Sequence, residues 1–140
     1  MTIAPFVKQP GWERRLEALF VRRRATPFDW TENNCVSFAA EATAALTGEL
    51  VRFPVDPATA SAAEAERRLE KLGGLASATT LVLGEPKRGW KLASRGSIAL
   101  VDRDGRPLLT VCTGRSLCAP GPEGLAHFPL MAATMVWTVG

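Results

Sequence analysis

Around Gly89-Trp90 the hydrophobic pattern changes period, and this change limits the fold more than any other feature of the chain. Before it, apolar residues recur at helical spacing. Trp12, Leu16, Leu19 and Phe20 stand at i, i+4, i+7 and i+8, with Pro10-Gly11 in front and Pro27 beyond. A second helix is predicted from Cys35 to Thr47, with Cys35, Phe38, Ala39, Ala42 and Leu46 on one face and Gly48 as its stop. A third opens with the capping-box pattern Ser61-Ala62-Ala63-Glu64, carries Ala62, Ala65, Leu69 and Leu72 on a stripe, and ends at Gly73-Gly74. Leu75 to Leu83 reads equally as a short helix or a strand. After Trp90 come short apolar runs: Ser97 to Val101, Leu108 to Thr113, Ser116 to Ala119, Leu125 to Pro129 and Met135 to Val139. Asp102-Arg103-Asp104-Gly105 reads as a hairpin turn and Pro120 to Gly124 as a plain turn. Three helices followed by about five strands describe an α+β domain with an antiparallel sheet.

The 140 residues are expected to form a single domain, 1–140, large enough for its own core. An apolar fraction of 46% and a charged fraction of 22% are those of an ordinary globular chain. No window approaches the roughly 18 apolar residues of a membrane-spanning helix, so membrane insertion is not expected. The start, Met1-Thr2-Ile3-Ala4-Pro5-Phe6, lacks the features of a signal peptide, and synthesis in the cytoplasm is expected. Net charge is +3, and the one dense basic run, Arg22-Arg23-Arg24, closes the first helix, where it complements the dipole. Basic residues interleaved with aromatics over a broad face are missing, so nucleic acid is not an expected partner. The cysteines, Cys35, Cys112 and Cys118, are odd in number and match no zinc spacing, so neither a disulfide framework nor a metal site is expected. No phosphate loop or dinucleotide fingerprint is present, and no cofactor is expected.

Cys35 is the residue with chemistry to offer. Asn34 caps the helix and places the thiol in its first turn, where the dipole and free N–H groups favour thiolate. A nucleophile also needs a base and a group to orient it. The chain has one histidine, His127, as candidate base. It alternates with Ala126 and Phe128, and would face water if those two face the core. Asp29 and Glu32, just before the helix, are expected to complement its dipole. Trp12, Trp30, Trp90 and Trp137 read as core or groove walls.

A helix opening with cysteine and followed by an antiparallel sheet resembles the NlpC-type branch of the papain-like peptidases. The match lies in Asn34-Cys35-Val36-Ser37-Phe38-Ala39-Ala40 and in Gly96-Ser97-Ile98-Ala99-Leu100. More narrowly, the chain is similar to a family of NlpC-like proteins encoded among phage and prophage tail genes. That likeness rests on Trp12 with Leu16, Pro27-Phe28-Asp29-Trp30, Cys35 with Phe38-Ala39-Ala40, Leu46-Thr47-Gly48, Gly73-Gly74, Gly96, Pro120 to Leu125 and Trp137. The resemblance implies a papain-like NlpC-type fold, with N-terminal helices packed on a C-terminal sheet.

This chain departs from the family pattern where catalysis would need it. Asn34 and Ser97 stand where the pattern has aspartate. Register on Gly114 puts Leu108 where the catalytic histidine would open the second strand, and Cys118 near the third polar position. The expectation is therefore a degenerate cysteine-hydrolase site in a virion component of the tail tip. It would act by binding other tail proteins or peptidoglycan, through a groove that includes Trp30, Asn34 and Phe53 and through the loops at Phe53-Pro54 and Pro120 to Gly124. Two alternatives stay open: an active peptidoglycan endopeptidase with Cys35 as nucleophile and His127 as base, and a tail assembly factor.

Overall fold

A computed structural model of the chain describes residues 7–51, 53 and 62–139. Among the described residues four α-helices precede and flank one sheet: α1 (Trp12–Arg23), α2 (Cys35–Thr47), α3 (Ala62–Lys71) and α4 (Leu75–Leu83). The strands are β1 (Lys87–Arg88), β2 (Ile98–Arg103), β3 (Arg106–Cys112), β4 (Leu117–Gly121), β5 (Gly124–Phe128) and β6 (Ala133–Trp137). All pairings are antiparallel, in the order β1-β6-β2-β3-β4-β5. The expected α+β class holds. The Ser61 cap and Pro54 lie outside the described residues.

α2 is the central helix. It buries Phe38, Ala39, Ala42, Thr43, Leu46 and Thr47. Its small alanines let α1, which buries Leu16, Leu19 and Phe20, approach from one side, and Leu109, Val111 and Cys118 of the sheet from the other. Buried hydroxyls must find acceptors. Those of Thr43 and Thr47 take the carbonyls of Ala39 and Thr43, both at 2.9 Å. Arg15 ties α1 to the end of α2, donating from Nε to the Ala45 carbonyl at 2.7 Å and from Nη1 to the Pro10 carbonyl at 2.8 Å. Arg23, in the basic run, donates from Nη2 to both carboxylate oxygens of Glu41 of α2 at 2.7 Å, so that charge has a partner.

The ambiguous segment Leu75 to Leu83 is a helix. It buries Leu75, Ala78 and Thr79, and Thr80 Oγ1 accepts from the indole of Trp137 at 3.3 Å. As a helix it gathers Leu75, Ala78 and Thr79, at i, i+3 and i+4, on one inward stripe. The sheet has one strand more than expected, because Lys87–Arg88 pairs with Val136 and Met135. Both residues are exposed, so no apolar pattern marks them. The hairpin forms as read. Arg103 pairs with Arg106 around Asp104 and Gly105, whose φ values of 52° and 81° suit a two-residue turn. β4 extends through Gly121, further than expected, so the turn before β5 shrinks to Pro122-Glu123.

The far face of the sheet is also buried. Ala99, Val101, Cys112, Leu117, Ala133 and Val136 form a second cluster, packed against Ala93, Phe128, Leu130 and Ala132. Strands covered on both sides read as continuous apolar runs, which is the pattern seen in β2 and β4.

Candidate functional site

The loop before α2 is built by its own polar side chains. Asp29 Oδ1 accepts from the N–H of Thr31 at 2.9 Å, its hydroxyl at 2.8 Å, and the N–H of Glu32 at 3.1 Å. Asp29 and Asn33 exchange backbone bonds of 3.0 and 2.8 Å, closing the loop on itself. Asn33, buried, donates from Nδ2 to the carbonyls of Pro27 and Thr26 at 3.0 and 3.3 Å. Asp29 was expected to serve the helix dipole. It instead organises the turn, and the Thr31 hydroxyl foremost, with the two N–H groups, lowers its carboxyl pKa. The closed loop presents Phe28 and Trp30, whose ring centroids lie 6.0 Å apart.

Asn34 then starts α2 with a complete capping box. Its Oδ1 accepts from Val36 and Ser37 N–H at 3.0 and 2.9 Å, and its own N–H donates to Ser37 Oγ at 3.0 Å. Nδ2 donates to the Trp30 carbonyl at 2.9 Å. Aspartate could keep the cap but not that last bond, which gives a physical reason for asparagine here. Asn34→Ala is expected to lower stability by about 1–2 kcal/mol in urea unfolding, since cap and loop tie go together. A change under about 0.5 kcal/mol would mean that the cap is dispensable.

Cys35 lines a cleft of about 640 Å³ with Trp30, Leu69, Leu75, Leu108 and Pro120 among the walls. Phe28 and Trp30 form one side, α3 another, and the β2–β3 hairpin the third. The rim carries Glu66 and Glu70 from α3 opposite Arg103, Asp104 and Arg106 from the hairpin. Ala65 is buried against Trp30, Leu69 and Leu72.

The thiol is not the activated one that its position suggested. Desolvation by the apolar surroundings raises its pKa, and outweighs the backbone N–H groups of Leu109, Cys35 and Val36 that act in the opposite sense. No imidazole acts on the thiol. His127 is exposed on the edge strand β5, opposite Cys118, with Nδ1 at 2.8 Å from Ser116 Oγ. His127 as base is thus unsupported by its place in the fold.

Leu108 and Leu109 face opposite sides of β3. Leu108 pairs with Val101 of the far-face cluster, whereas Leu109, opposite Leu100, packs into the core that Cys35 joins. Leu108 still borders the cleft, but the side chain on the thiol's side of the sheet is Leu109. Hairpin parity also sends the Leu109 N–H away from β2. It points toward the β4 side, where the ladder stops at Val111 and Cys118, and it reaches Cys35.

The remaining candidates separate. Trp30 and Asn34 line the cleft, while Phe53 packs against the helical core and is not among its walls. Cys118 is fully buried, and burial together with the Cys112 thiol pushes its pKa up to about 12, so it cannot orient a base. Of the Pro120 to Gly124 segment, Pro120 borders the cleft, but Gly121 and Gly124 are buried under residues 24–28. Trp12 and Trp137 pack in the core, and Trp90 is exposed. Sequence reading missed α3 and the hairpin tip as walls. The stripe of Ala65, Leu69 and Leu72 was visible, but not what it would face. Among the described residues no group of His, Cys, Asp and Glu is placed to hold a metal, and no helix is long and apolar enough to cross a membrane.

No curated protein and no solved structure matches this chain. One family does, described as a domain of unknown function, DUF6950, and the match runs over residues 7–139. With nearly the whole of its length covered, the protein belongs to the DUF6950 family.

Proposed function

We propose that this protein is an NlpC-like, papain-type domain with a silent thiol site, retained in a phage or prophage tail as a binding component. The observation that carries the reading is Cys35 itself. It stands at the start of a central helix packed on an antiparallel sheet, as a papain-like nucleophile would, yet its thiol is held protonated by an apolar cleft and no imidazole acts on it. A neutral thiol without a base does not attack an amide. What remains is the cleft. Its volume of about 640 Å³ is that of a specific binding pocket, and two aromatic residues border it. An apolar segment of a neighbouring tail protein suits that floor better than the polar cell-wall polymer does.

The test has two parts. Purified protein incubated with peptidoglycan is expected to release no fragments, and Cys35→Ala is expected to behave identically. Mass spectrometry of purified virions is expected to find the protein, and recombinant tail proteins are expected to bind it. Trp30→Ala should weaken that binding about tenfold or more, as removal of a central aromatic does. Peptidoglycan cleavage that disappears with Cys35→Ala would overturn the reading in favour of a hydrolase. Absence from virions would point to an assembly factor.

A further inference from the structure

We infer that α3 is a hinged lid over the Cys35 cleft, pivoting at Gly73-Gly74 and held shut by packing on Trp30 and by an Arg106–Glu66 ion pair. This rests on the reading of the cleft as a binding site, since it states how an occupant gains entry.

α3 is attached far more lightly than its neighbours. α1 buries Leu16, Leu19 and Phe20, α2 buries six residues, and α4 buries Leu75, Ala78 and Thr79. In α3 Ala65 alone is buried among the described side chains, and Leu69 is half-buried. Elements with little buried apolar surface open first. The join to α4 suits a pivot. Gly73 and Gly74 have φ of 90° and 101°, values that cost glycine little, and the Gly74 N–H closes α3 on the Leu69 carbonyl at 2.7 Å. Immediately beyond, α4 is anchored in the core by Leu75. A lightly held helix therefore meets a firmly held one across two conformationally permissive residues, as hinges require.

Contacts on two sides help keep α3 over the cleft. Ala65, Leu69 and Leu72 pack with Trp30 of the loop before α2. On the other side, Arg106 Nη1 of the hairpin lies 3.6 Å from Glu66 Oε1. Glu66 and Glu70 stand four apart on α3 and repel each other, so the arginine also relieves that repulsion. Both partners of the pair are more than half exposed, with side-chain accessibilities of 82% and 62%. Such a pair is weak and screened by salt, which makes it a light catch rather than a fixed brace.

Cys35 reports the lid directly, because it is half-buried in the cleft beneath α3, while Cys112 and Cys118 are fully buried and serve as internal controls. The experiment is alkylation of the native protein with a maleimide, each cysteine followed separately by peptide mass spectrometry, with and without dilute urea. If α3 opens locally, Cys35 reacts before the controls, at a rate nearly flat in dilute urea. Glu66→Gln and 1 M salt should each raise that rate about two- to fivefold, and their effects should not add, since both remove one catch. Amide exchange across 62–71 should be faster than across α2 and should quicken in Glu66→Gln. Labelling of Cys35 that rises only together with Cys112 and Cys118 as urea increases would overturn the lid, because the thiol would then be reached by global unfolding alone. So would rapid labelling indifferent to both Glu66→Gln and salt, or α3 amides as protected as those of α2. A lid that opens above a cleft that binds no tail protein would remove the binding reading and leave the lid.

Discussion

Raising the pH from about 9 to 11 is expected to strip this protein of several kcal/mol of stability. All three thiols have pKa values raised by burial, that of Cys118 to about 12 from an ordinary value of 9.0. Above pH 9 the unfolded chain releases these protons while the native state keeps them. The native state then binds more protons, so stability is complete below the unfolded value and falls as pH rises. The slope is about 1.4 kcal/mol per pH unit for each retained proton, so Cys118 alone removes on the order of 3 kcal/mol by pH 11. Cys35 and Cys112 add in the same direction. The chain has no tyrosine, so phenol ionisation does not compete. Urea midpoints followed by tryptophan fluorescence at pH 8, 9, 10 and 11 measure the slope. Cys118→Ala, although less stable at neutral pH, should lose stability less steeply. Parallel curves for wild type and variant would show that Cys118 does not hold its proton.

Gly124→Ala is expected to cost on the order of 3 kcal/mol or more, because two penalties coincide. Gly124 has φ of 131°, a region that L-residues rarely enter. A methyl group there would also run into the Arg24 carbonyl oxygen and the Ala25 backbone. That approach cannot relax freely, since the Arg24 carbonyl accepts from the Leu125 N–H at 3.1 Å and the Phe28 N–H donates to the Gly121 carbonyl at 2.7 Å. Gly48→Ala isolates backbone strain. Its φ is 79°, nothing lies within 4 Å of the added carbon, and about 1 kcal/mol is expected. In thermal melts the Gly124 variant should lose roughly 6–12 °C and the Gly48 variant roughly a third of that. Equal losses would mean that the contact with residues 24–25 gives way. Because that contact seats the loop carrying Phe28 and Trp30, the Gly124 variant should also disturb the Cys35 cleft, which an elevated Cys35 alkylation rate would report.

These effects divide the protein into what neighbours in sequence decide and what only distant residues decide. The bounds of α2 were legible because Asn34 and Gly48 act on the backbone next to them, through a cap and a left-handed stop. The Asp104-Gly105 turn was legible for the same reason, since its positive φ values select those residue types locally. The exposure of His127 followed from its alternation with Ala126 and Phe128. The change of period near Trp90 was enough for an α+β order of elements.

Other features had no local signature. The strand Lys87–Arg88 exists through backbone bonding to β6, and exposed basic residues carry no trace of it. The segment Leu75 to Leu83 became a helix because its partners, Trp137 among them, lie far along the chain. One step along β3 separates Leu108, which borders the cleft, from Leu109, which packs into the core, since side chains alternate faces along a strand. Cys35 is the sharpest case. Its place at the start of α2 is written in the sequence, and the helix dipole there argues for thiolate. Its protonation is set instead by how much water the loop, α3 and the β2–β3 hairpin exclude, and desolvation of a charge in that assembled cleft outweighs the local field.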